Sequence, residues 1–254
     1  MTQSRFIPSS ILVDVELPEP APLSPDLVDL LASLRIVLVG WYAVPEQTSP
    51  QQARDQFEGE AEAALAPIAQ AFEDAGAEVD THLVFTPNQF DTLSRISTEH
   101  DCDAVLIPGT MKHLHRVLVP LRGLHNARRI APFVADLVQD GTTDVTLLHV
   151  QEEDETDDAA REHVLEPVRD MMTARGIDAG IIQFEMVASD DPAGTIVDRA
   201  DNYDVVVLGE TQPSIREILF GSVPGAIAKA ARTPVIVVRH FDEAVASATR
   251  ATQA

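Results

Sequence analysis

Cysteine is almost missing from this chain, and lysine nearly so. Cys102 is the single thiol, so no internal disulfide can form and a reducing cytoplasm is the expected setting. One thiol also gives no basis for a zinc site; His113 and His115, in a polar connector, read as solvated side chains, and no metal is expected. Lys112 and Lys229 are the only lysines; every other basic residue is arginine. Aromatics are sparse at 5%. No run of 18 apolar residues occurs, and the N-terminus lacks a basic region followed by an apolar stretch, so neither membrane insertion nor secretion is expected. Catalytic constellations are also lacking. Ser222 has no His/Asp partner at a motif spacing, and His149 lies within an apolar strand, where a hydrogen-bonded core histidine is expected rather than a base.

What the chain has in excess is carboxylate: 41 acidic against 18 basic residues, a net charge of −23. Such a surface repels phosphate backbones and anionic lipid, which argues against nucleic acid and membrane surfaces as partners. Spread acidity with almost no lysine resembles proteins from salt-accumulating archaea, where concentrated salt screens self-repulsion. An ordinary acidic protein remains the alternative.

Strand and helix patterns alternate, and the alternation occurs twice. In the second half, strands are expected at Arg116 to Leu121, Val145 to Val150, Ile181 to Val187, Val205 to Leu208 and Val235 to Val238. Between them lie helices with apolar faces at Ile130, Phe133, Val134, Leu137 and Val138, at Val164, Leu165, Val168, Met171 and Met172, and at Ile196, Val197 and Ala200. Asp191-Pro192 is a cap-plus-proline helix start. The first half repeats this at Ile11 to Val15, Ile36 to Val39, Leu65 to Phe72, Val79 to Phe85, Thr86-Pro87 with Phe90, Leu93 and Ile96, and Asp103 to Gly109. It then stops, with no room for a further helix and strand. The pattern predicts an α/β fold with two doubly wound parallel-sheet domains in tandem. The expected limits are 9–112 for a degenerate copy, 113–241 for a complete one and 242–254 for a tail.

Between Asp204 and Val238 a glycine ends a buried strand and Gly221-Ser222 opens a helix, with Pro224 in its first turn. A free helix N-terminus beside a close-approach glycine is a ready anion site. The same glycines also serve as plain turn residues in many α/β proteins. Gly209, Gly221 and Ser222 match the pattern G-x2-G-x9-G-[ST], and on these residues the stretch resembles the C-terminal signature of the universal stress protein family. Gln212 stands where the second glycine belongs, and the loop is one residue short. The resemblance implies a non-enzymatic stress-response or regulatory protein, with adenine nucleotide (ATP or AMP) held weakly in the second domain by Pro120, Leu121, Arg122, Gly209, Gln212, Gly221, Ser222 and Val223. Arg122 falls where nucleotide-binding relatives carry an aspartate that accepts from adenine. An arginine cannot accept, so it is expected in a structural ion pair or, alternatively, against phosphate. Glu16 takes the matching place in the first half. The resemblance also implies a homodimer paired through the edge strand Val235, Ile236, Val237 and Val238. The second half is similar, too, to soluble domains fused to haloarchaeal transporters, so an accessory regulator of cation (potassium) or amino-acid transport is the alternative function.

Overall fold

A computed structural model describes residues 8–45, 49–109, 111, 115–124, 127–151, 155–209 and 232–239. Its frame is one nine-stranded sheet in the order β3-β2-β1-β4-β9-β8-β5-β6-β7. The first half supplies β1 (Ser10–Leu17), α1 (Pro25–Leu31), β2 (Arg35–Ala43), α2 (Pro50–Asp74), β3 (Glu78–Thr86), α3 (Gln89–Glu99) and β4 (Ala104–Ile107). The second supplies β5 (Arg116–Leu121), α4 (Ala127–Leu137), β6 (Asp144–Gln151), α5 (Asp157–Ala160), α6 (Glu166–Thr173), β7 (Ile182–Ala188), α7 (Pro192–Ala200), β8 (Val205–Gly209) and β9 (Val235–Val238). The expected domain junction at 112/113 and the tail 242–254 lie outside the described residues.

Along the central strands apolar side chains run almost continuously, successive ones pointing to opposite faces, as a sheet covered on both faces demands. Ile11, Val13 and Val15 face α2 residues Leu65 and Phe72 and α4 residues Ile130, Phe133 and Val134. Leu12 and Val105 face the opposite layer, where α3 contributes Leu93 and Ile96 and α7 contributes Ile196 and Ala200. The fold is therefore doubly wound, as the strand–helix alternation predicts.

Helix signals act largely where the sequence places them. Asp191 caps α7, its Oδ1 accepting from the Gly194 amide at 3.0 Å. Between α5 and α6 the turn Arg161–Leu165 is a π-helix. Pro167 explains it: proline has no N–H for the ladder and its ring crowds the preceding turn, which widens. In the first half the cap of α3 is Asn88, not Thr86; the Thr86 hydroxyl instead accepts from the Asn88 amide. Helix α1, with Ser24 as cap and Pro25 in its first turn, is an addition that the repeat does not foretell.

The repeat is visible down to single hydrogen bonds. Asp103, just before β4, accepts from the Ser10 amide at 2.8 Å, and Asp204, just before β8, accepts from the Arg116 amide at 3.0 Å. In return the Asp103 amide donates to Ser10 O and the Asp204 amide to Arg116 O, each at 3.0 Å.

Strand β9 corrects one expectation. Val235–Val238 is not an edge. It runs parallel to β8 and antiparallel to β4, with Val237 opposite Leu208 on one side and Val105 on the other. The first half has no fifth strand of its own, so the open side of β4 is closest to hand and the chain closes upon itself. A homodimer through Val235, Ile236, Val237 and Val238 would require breaking one of these ladders. Arg239 continues the union: its amide donates to Asp103 O and its guanidinium to Ser97 Oγ, both at 2.8 Å.

Candidate functional site

Most neighbouring strands pair over their whole length, but β1 with β4 and β5 with β8 do not. Each of these two pairs is joined at two positions only, Ile11 and Leu12 with Ala104 and Val105, and Val117 and Leu118 with Val205 and Val206. Beyond them the strands part toward their C-terminal ends. These are also the two places where the order of connection reverses, the usual ligand crevice of an open α/β sheet. Three residues further along the register, Leu121 and Gly209 stand on opposite lips of the second crevice, with Arg122 next.

Of the sequence-derived site residues, Pro120, Leu121, Arg122 and Gly209 are thus brought to one place. Gln212, Gly221, Ser222 and Val223 lie outside the described residues. Arg122 is exposed. The structural ion pair expected of it does not form among the described residues. Leu121 is buried, and its carbonyl accepts from His149 Nδ1 at 2.8 Å. His149 Nε2 lies 2.8 Å from Glu155 Oε2. His149 is therefore the bonded core histidine expected from its apolar strand. It also locks the end of β5 to the loop before α5, a positioning role that no motif announces.

The first half differs at the equivalent place. Its lip carries exposed Glu16 instead of arginine. The main chain entering β9 lies against Gly109: a Cβ there would stand 2.5 Å from both Pro234 N and Thr233 C. The exit from β4 that a phosphate-binding loop would need is thus taken by backbone from the other half.

Nucleophilic chemistry has little support nearby. Cys102 is fully buried, and burial pushes its thiol up to about 12, against smaller downward pulls from Arg35 and Arg239. The thiolate required for attack is absent near neutral pH. No described helix is long and apolar enough to cross a membrane.

Comparison with known proteins agrees with this fold. A universal stress protein from Archaeoglobus fulgidus DSM 4304 superposes with a TM-score of 0.62 at 17% identity, covering 92% of this chain and 97% of its own. A functionally unknown protein from Pseudomonas aeruginosa PAO1 does so with a TM-score of 0.56 at 15% identity, covering 97% of this chain and 98% of its own. A universal stress protein from Archaeoglobus fulgidus in complex with dAMP matches 51% of this chain and 100% of its own, at 21% identity and a TM-score of 0.39. No curated protein matches the chain. The model of the universal stress protein family matches residues 113–239, from the connector before β5 through β9. The chain belongs to the universal stress protein family.

Proposed function

We propose that the chain is a non-catalytic regulator in the stress response, acting in the cytoplasm, whose second half holds an adenine nucleotide weakly and does not turn it over. The observation that carries this reading is the parting of β5 from β8, with Gly209 on one lip and Leu121-Arg122 on the other. An exposed arginine at that rim suits phosphate, which it can meet through two parallel N–H donors. It offers nothing to the adenine amino group. Losing that acceptor costs on the order of 1–3 kcal/mol, roughly ten- to a hundredfold in affinity. The first half takes no part, since Glu16 would repel phosphate and main chain abuts Gly109. His149, a buried histidine beside the end of β5, is committed to Leu121 and Glu155. No described feature favours the transport-regulator alternative.

Calorimetry of the full chain with ATP, ADP and AMP tests the reading, with Gly221→Val as the comparison. The expected result is weak binding to one site per chain, lost in Gly221→Val, without phosphate release. Tight binding, or ATP hydrolysis that Gly221→Val abolishes, overturns it.

A further inference from the structure

At the far edge of the sheet, remote from the crevice, β3 and α3 bring together three metal-ligating side chains. Asp80 and His82 are two residues apart on β3 and so point to one face, the face that carries Val37 and Val39 on the neighbouring strand. Helix α3 covers that face through Leu93 and Ile96. It ends at His100, which is its C-cap. His82 Nε2 lies 3.2 Å from Asp80 Oδ1, and His100 Nδ1 lies 3.1 Å from Asp80 Oδ2. The two imidazole centroids are 4.2 Å apart, with the rings tilted by 59°. One donor atom from each of the three residues falls within 4.8 Å of the others.

Hydrogen bonding does not account for this arrangement. His82 Nε2 is shielded from solvent and has no hydrogen-bond partner, although a carboxylate oxygen stands 3.2 Å away. The separation is right for a bond and the direction is not. Leaving such a nitrogen unsatisfied destabilises the fold. A shared cation removes the conflict, because ligands surrounding an ion are near one another without bonding to one another. Donors at about 2.1 Å from zinc, spread at a tetrahedral angle, are about 3.4 Å apart, close to the two spacings seen.

We propose that Asp80, His82 and His100 bind a divalent transition-metal ion, zinc or a near neighbour, and leave a coordination position to water. Two imidazoles with one carboxylate suit zinc, nickel, cobalt or iron, whereas calcium and magnesium prefer oxygen alone. The histidine side chains are 26% exposed and that of Asp80 44%, so the cluster lies at the protein surface. Arg35 supports the site from behind: its Nη2 donates to His100 O at 2.9 Å and holds the C-cap of α3 against β2. A bound ion would fasten the exposed edge strand β3 to the end of α3.

Zinc chloride titrated calorimetrically into the metal-stripped full chain tests the assignment, alongside Asp80→Asn, His82→Gln and His100→Gln. His163→Gln, on an exposed position of the π-helical turn, is the control. One saturable zinc site per chain is expected, weakened at least about tenfold by each of the three substitutions and unchanged by the control. Cobalt in place of zinc should give a visible absorption band that His82→Gln removes. Asp80→Asn keeps the side-chain volume and decides the question if a histidine variant folds poorly. Absence of zinc uptake overturns the proposal. So does zinc binding that the three substitutions leave untouched, which would mean ions scattered over surface carboxylates.

Discussion

On β1, Asp14 occupies the register position that Pro120 holds on β5. Its Oδ2 accepts from Gln89 Nε2 at 2.9 Å, and the Trp41 indole lies beside it. Burial pushes this carboxyl above its ordinary 3.8, with a small further push from Glu16, and the nearby donors compensate only in part. The folded state therefore binds the proton more tightly than the unfolded chain. Its stabilising contribution is complete below 3.8 and disappears as pH climbs through the raised value, so at neutral pH the ionised carboxylate weakens the fold. Asp14→Asn keeps an oxygen for Gln89 and abolishes the charge. It is expected to stabilise the protein at pH 7, and the gain should shrink toward zero as pH approaches 4. Melting curves of both proteins across that interval check it; a gain that grows on acidification would contradict the argument.

At the level of elements, β9 is the piece on which both halves depend. Its residues are fully apolar and flanked on both sides, so each main-chain N–H is committed to one ladder or the other. Val237→Pro removes one such donor and forces the ring into a central strand, a place that proline essentially never occupies. The expected outcome is a large fall in denaturant midpoint for the whole molecule, with molar mass by light scattering unchanged. A mass that halves would instead return Val235–Val238 to a seam between chains. The strand itself was legible, since a run of β-branched residues after Thr233-Pro234 has few other readings. Its partner was not, because pairing depends on what the first half lacks, and an absent strand leaves no residue to read. Helix α1 shows the reverse case: Ser24-Pro25 with Leu27, Val28, Leu30 and Leu31 carries cap and face, but only two turns of it among many prolines. At the crevice, strand ends and Gly209 were readable from periodicity, whereas the His149–Leu121 lock and the Asp80–His82–His100 cluster arise only once separate elements are packed.

Across the whole molecule the dominant fact is charge, 41 acidic against 18 basic residues in a single continuous sheet. Few of these carboxylates are neutralised at depth. Asp136 is one: it accepts from the Ser9 amide and hydroxyl and pairs with Arg175 at 2.9 Å, linking the N-terminal strand region to α4 and the end of α6. Most of the other described carboxylates face solvent, where repulsion among them acts over a Debye length of about 10 Å at 0.1 M salt and about 3 Å at 1 M. Exposed ion pairs such as Arg95–Glu99 offset little of this. Potassium chloride is therefore expected to raise the melting temperature steeply up to molar concentration, and dialysis to low salt to give a cooperative loss of helical circular dichroism. The shared strand β9 makes one transition the natural form of that loss, with both halves melting together. Retention of the full signal and of the melting temperature at low salt would show that the sheet's buried aliphatic core outweighs the surface repulsion, and that the acidity is not a salt adaptation.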